Sequence, residues 1–153
     1  MRNFLLIGIG VVFFSCGEHT TFEEYKKIED KEWHTDSVIS FSFEVDDTIS
    51  EHTISLNIRH TIEYEYQNLL LFVGFDESKD TTGFFLAEKN GKWKGKGIGD
   101  LREYRAVLEK NKRFIKKGEH KYSFEQAMRY GSEEKIMKLK HIEALGLRVV
   151  KEQ

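Results

Sequence analysis

The sequence predicts a mainly β protein, an antiparallel β-sandwich of jelly-roll type with at most one or two short helices. Three observations lead there. Apolar residues recur at every second position in several separate segments. Turn residues interrupt these segments about every eight to twelve positions, and almost nothing keeps the 3.6-residue period of a long helix. Twelve Phe, six Tyr and two Trp supply the bulk that a core between two sheets needs.

Taken in chain order, Ile39, Phe41, Phe43 and Val45 alternate with Ser40, Ser42 and Glu44, a strand with one buried face. Ile54, Leu56, Ile58 and Ile62 repeat the pattern against Thr53, Ser55, Asn57 and Arg59. With Asp46-Asp47-Thr48 or Ser50-Glu51 as a turn between them, these two strands are expected to pair antiparallel. Gln67 to Phe75 is apolar on both faces, which predicts a central strand covered on each side, with Leu69, Leu71, Phe72 and Val73 buried. Phe84 to Ala87 reads as a short strand, followed by the hairpin turn Asn90-Gly91 and a partner strand over Lys92 to Gly99. Leu101, Tyr104, Leu108 and Ile115 approach helical spacing behind a possible Asp100 cap, yet Tyr104, Ala106 and Leu108 also alternate, so helix and strand both fit. Tyr122, Phe124, Gln126 and Met128, and later Leu145, Leu147 and Val149, form two further strands, and Ser132 to His141 has room for one short helix.

The first residues follow a different logic. Arg2, the apolar run Phe4 to Phe14 and small Ser15 have the layout of an export signal, whose apolar core of 11 residues is too short to span a bilayer. Ser15-Cys16 looks like a bacterial lipobox, with Phe13 where a Leu is usual, so cleavage before Cys16 and lipidation of its thiol are expected. The expected organisation is a signal peptide over 1–15, a polar tether over 16–24 and one β-sandwich domain over 25–153. The mature part would hold 23 basic and 26 acidic side chains, interspersed, and such a surface has no basic face for nucleic acid. Its sole cysteine being lipidated, it would have no disulfides and would depend on packing.

Reactive chemistry is absent from the pattern. The glycines of Gly91-Lys-Trp-Lys-Gly-Lys-Gly-Ile-Gly99 lack the flanking strand, helix start and Lys-Ser/Thr pair of a phosphate loop, and fit a segment that bends or packs closely. The six histidines never approach metal-ligand spacing, although His60 falls on the apolar phase of its strand. No Gly-x-Ser-x-Gly elbow occurs. Tyr64 and Tyr66, flanking Glu65, suit either a covered strand rim or a stacking surface for a sugar or partner.

In order, Cys16, Tyr25, Trp33, Arg59-His60, Tyr64-Glu-Tyr66-Gln-Asn68-Leu69, the glycine-rich stretch to Asp100, Gln126-Ala-Met-Arg129 and Gly146-Leu-Arg148 resemble the gliding-motility lipoprotein GldH family from Cys16 to Lys151. Glu65 departs from it, since the family often has a small residue or proline there. The resemblance implies a non-enzymatic envelope lipoprotein, needed for movement of surface adhesins and associated with type IX secretion, with other envelope motility and secretion proteins as partners. It implies no cofactor beyond the covalent lipid on Cys16. It marks Trp33, Arg59, Asn68, Trp93 and Arg129 as motif positions with structural or partner-facing roles, beside Tyr64 and Tyr66. The segment Gly17 to Thr21 has one acidic residue, whereas surface-exported lipoproteins of such bacteria tend to carry an acidic cluster, so an outer-membrane anchor facing the periplasm is expected. The competing reading is a glycan-binding β-sandwich module on the envelope, in which Tyr64, Tyr66 and Trp93 would converge in an open groove.

Overall fold

A computed structural model describes residues 19–152. Ten strands form in chain order: β1 (His19–Lys27), β2 (Glu32–His34), β3 (Ile39–Val45), β4 (His52–Thr61), β5 (Asn68–Phe75), β6 (Ser78–Phe85), β7 (Leu101–Lys112), β8 (Gly118–Gln126), β9 (Lys138–Lys140) and β10 (Ile142–Lys151). The alternating apolar residues explain how they assemble. One sheet runs β1-β10-β4-β7, the other β3-β8-β5-β6, and β2 pairs with β9 as a separate ribbon. All pairings are antiparallel. Ile54, Leu56 and Ile58 stand opposite Val149, Leu147 and Leu145 in the first sheet. They share one core with Phe41, Phe43, Tyr122, Phe124, Leu69 and Leu71 of the second, so the mainly β sandwich expected from the sequence is the fold observed.

Several expectations are corrected. β3 and β4 do not pair; β3 lies against β8, and β4 lies between β10 and β7. Alternation reports which face is buried but not which neighbour a strand takes, and here residues 46–51 carry the chain from one sheet to the other, with both apolar faces in the common core. The fold begins before Tyr25, because β1 takes in His19 to Glu24 of the expected tether and packs Phe22 on Phe43 at 5.4 Å between centroids. As an edge strand β1 has mostly exposed residues, so its sequence carries no alternation. β5 does lie inside its sheet, between β8 and β6, but only Leu69 and Leu71 are fully buried; Leu70, Phe72 and Val73 are half-buried. Burial on both faces belongs instead to β4 and β10.

Residues 101–112 are strand, since Tyr104 and Ala106 stand opposite Ile58 and Leu56 and complete the first sheet. The strand expected over Phe84 to Ala87 begins earlier, at Ser78, as the hairpin partner of β5. The Asn90-Gly91 turn forms, with the Gly91 N–H donating to the Glu88 carbonyl at 2.9 Å and only Gly91 at positive φ. Beyond it no strand develops over Lys92 to Gly99, where the isolated bridges Ala87 to Trp93 and Lys96 to Glu103 hold the chain. Ser132 to His141 contains β9 rather than a helix; the single helical element among the described residues is a 3-10 turn at Glu29–Lys31.

The topology gives the sandwich two unlike ends. At one end lie the start of β1, the end of β10 and the short links 46–51, 76–77 and 113–117. At the other lie the ribbon, the link 62–67 and the two long links 86–100 and 127–137.

Candidate interaction surface at the long-loop end

The 62–67 link leaves β4 through a turn in which the Tyr64 N–H donates to the Thr61 carbonyl at 3.1 Å. This tucks the Tyr64 ring under the loops, where its hydroxyl donates to the Asn68 carbonyl at 2.9 Å. Tyr64 is 4% exposed. Burial pushes its phenol well above the ordinary tyrosine range. Around it the rings form a chain: His60 at 5.8 Å, Trp93 at 6.4 Å and Tyr66 at 5.6 Å from Tyr64. His60 meets Trp93 at 4.7 Å, and Tyr66 meets Tyr130 at 5.9 Å. Tyr130 is 69% exposed, so the chain of rings runs from a buried histidine to an open tyrosine. Tyr64, Tyr66 and Trp93 therefore converge as the glycan reading asked, but Tyr64 is covered and offers a sugar no stacking face.

Trp93 is held there by the glycine stretch. A Cβ on Gly95, at φ +82°, would lie 2.0 Å from the Glu103 carbonyl oxygen, and one on Gly97 would lie 1.9 Å from the Leu101 oxygen. The glycines allow this close approach, and the Lys96 N–H, bonded to the Glu103 carbonyl at 3.0 Å, is turned to the strand rather than to an anion.

Trp33 is buried on β2 opposite Leu139, and its indole N–H donates to the Ser37 carbonyl at 2.9 Å. It backs a cleft of about 390 Å³ whose rim includes Lys27, Glu29, His34 and Lys138. Arg129 is exposed and lines a second cleft of about 300 Å³ with Lys135, Phe72 and Met128. Asn68 contributes its backbone to the Tyr64 bond. Cys16 lies outside the described residues.

Arg59 stands apart, on the outer face of the first sheet. Its guanidinium stacks on the Tyr25 ring at 4.0 Å and pairs with Glu103. Tyr25 bonds both Glu103 oxygens at 3.3 Å, accepts from the Asn57 amide at 2.7 Å, and Arg105 donates to Asn57 at 2.8 Å. Burial and the Glu103 charge raise the Tyr25 phenol. Gly146 is what lets the ring lie flat on the sheet, since a Cβ there would come within 2.5 Å of it. The sequence reading missed this network. Its one visible signal was Asn57 beside Arg59 on the polar phase of an otherwise apolar strand. Asn57 is fully buried, and the bonds to Tyr25 and Arg105 satisfy its amide.

Comparison with known proteins identifies the family. Residues 20–149 match the profile described as GldH lipoprotein. The chain belongs to the GldH lipoprotein family. It is 33% identical over 154 residues to a protein named gliding motility lipoprotein GldH homolog from Christiangramia forsetii, covering 97% of this chain and 94% of that one. To the gliding motility lipoprotein GldH of Flavobacterium johnsoniae it is 29% identical over 130 residues, covering 82% and 80%. Among solved structures, a family GH115 4-O-methyl-α-glucuronidase aligns over all of this chain and 20% of its own at a TM-score of 0.48 and 11% identity. As a member of the GldH lipoproteins, the chain is a membrane-anchored protein of the cell envelope.

Proposed function

We propose that this GldH-family chain is a non-enzymatic accessory subunit of the gliding-motility and type IX secretion-associated machinery. In this reading a lipid on Cys16 holds it at the outer membrane, and the domain faces the periplasm and docks to other envelope proteins. The observation that carries the reading is the near full-length likeness to proteins named as gliding motility lipoproteins. The gathering of Trp33, Tyr64, Tyr66, Asn68, Trp93 and Arg129 toward the long-loop end supports a docking role there, with Tyr130 and Arg129 open to a partner. Capture of the lipidated protein from detergent-solubilised envelope tests it. The same motility or secretion subunits are expected with the wild-type chain, and they are expected to be depleted with Tyr130→Ala/Arg129→Ala. Capture of no envelope protein by the wild type would remove the docking role, and release of Cys16→Ser from the membrane fraction is expected alongside.

A further inference from the structure

The end of the sandwich opposite the aromatic loops has a different chemistry. The β7–β8 link and its flanks read Lys110-Asn-Lys112-Arg113-Phe114-Ile115-Lys116-Lys117, five cations in eight residues. Phe114 is 2% exposed and packs among Phe43, Phe75, His52 and His120. Its neighbour Ile115 is 92% exposed. The link is held in this shape because His120, bonded through Nδ1 to Asp76 at 2.8 Å, meets the Lys116 carbonyl through Nε2 at 2.9 Å. A rooted phenylalanine thus presents an isoleucine outward between pairs of cations. At the same end, Ile49 of the 46–51 link is 84% exposed.

Four acids at this end are engaged already, while Glu44, Glu119 and Glu152 at the neighbouring strand ends are exposed without an ion-pair partner among the described residues. Glu51 pairs with Arg113 at 2.8 Å, Asp47 with Lys151 at 2.6 Å and Glu109 with Lys112 at 2.7 Å, while Asp76 holds His120. Lys110, Lys116 and Lys117 have no ion-pair partner among the described residues and are exposed. Asp46 and Glu77 are the acids of these links without one.

Position selects the partner. His19 stands opposite Lys151, Lys151 opposite His52, and His52 opposite Lys112, so these four residues line up across the first sheet. At the usual strand spacing, His19 is about 14 Å from Lys112. Only Gly17 and Glu18 separate His19 from Cys16, a reach of at most roughly 11 Å. We infer that this end is a membrane-contact surface, in which Ile115 and Ile49 enter the headgroup region of an anionic phospholipid bilayer and Lys110, Lys116 and Lys117 meet its phosphates. An apolar tip flanked by cations suits that interface, where buried apolar area and attraction to anionic lipid add. The long-loop end then points away from the membrane. The choice of pole rests on the lipid-anchor reading; the attraction to anionic lipid does not.

The test uses the full-length protein made in a lipidating host and reconstituted into vesicles of phosphatidylcholine alone or mixed with phosphatidylglycerol. An environment-sensitive dye is placed at Ile115→Cys or, as the opposite pole, at Ile98→Cys, which is 91% exposed. The expected result is a blue shift and a severalfold rise in emission at position 115, larger with phosphatidylglycerol and weakened by high salt, with position 98 unchanged. Aqueous emission at position 115 in a protein whose mass shows acylation, or an equal shift at position 98, overturns the inference. A mass without acyl chains overturns the anchor reading instead. The surface is then judged by flotation of that protein with phosphatidylglycerol vesicles. Lys116→Ala/Lys117→Ala is expected to lower flotation roughly tenfold or more, and unchanged flotation overturns it. A surface made for an acidic protein rather than a bilayer would give that second result.

Discussion

His60 is completely buried on the core phase of β4, and its two ring nitrogens are treated unequally. Nδ1 meets the Thr61 carbonyl at 2.9 Å, so the proton sits there, and Nε2 has no partner between the rings of Tyr64 and Trp93. Burial pushes its pKa below the ordinary histidine value; the Thr61 bond pulls it partly back, and the Arg102 charge adds a smaller downward push. Above about pH 6.5 both folded and unfolded chains hold a neutral ring and nothing is lost. As pH falls from there toward the depressed folded value, the unfolded chain takes up a proton that the folded one resists, so stability falls. Urea midpoints measured from pH 7.5 down to 5.5 should therefore drop more steeply for the wild type than for His60→Leu. At pH 7.5 the two should differ by less than about 1.5 kcal/mol, because the exchange removes a half-satisfied polar group. Parallel slopes would refute this account. The position was legible in the sequence from its apolar phase, but its missing bond was not, since that depends on the Tyr64 ring folding back from the next link and on Trp93 arriving from the distant 86–100 link.

At the scale of the element, β5 separates inner from outer burial. Leu71 faces the core with no exposure, while Phe72 is half-buried on the other face, where the Lys79 ammonium lies 5.1 Å from its ring centroid. Leu71→Ala should cost about 2–5 kcal/mol through lost transfer energy and the cavity left behind. Phe72→Ala, losing roughly half of a buried ring's contacts, should cost about 1–2 kcal/mol. Urea midpoints of the two variants decide the order, and a larger loss for Phe72 would mean that the outer face is covered as deeply as the core. An unbroken apolar run made the two faces look equivalent. Only the sheet order, which leaves one side of β5 without a packed layer, distinguishes them. β7 shows the same limit differently, since its residues satisfied helix and strand patterns alike and β4 decided between them by offering a pairing edge.

For the whole molecule, the two ends of the sandwich do different work in the proposed arrangement, a basic and apolar end beside the anchor and an aromatic, loop-rich end facing partners. With the domain in the periplasm, brief protease treatment of intact cells should leave it whole and digestion should require a permeabilised outer membrane. Immunoblotting checks this, and complete digestion without lysis would place the domain on the cell surface and favour a surface-binding role. The early start of β1 sharpens the arrangement, because two residues rather than a longer tether separate His19 from Cys16, the proposed anchor.

The sequence alone determined the mainly β class, most of the strands, the resemblance to the GldH family and the core-facing apolar residues of β3, β4, β8 and β10, but not the burial of Ser55 and Asn57 on the other face of β4 or the exposure of Ile62 past its end. Alternation is a local property, written into each segment by the face it must hide. Which strands are neighbours was decided only by the tertiary structure, because pairing is set by fitting apolar faces together across long separations, as when His19 stands opposite Lys151. The same holds for the meeting of His60, Tyr64 and Trp93 and for the Tyr25 network. Their members come from different strands and loops, and no local pattern records that the closing of two sheets will bring them within reach of one another.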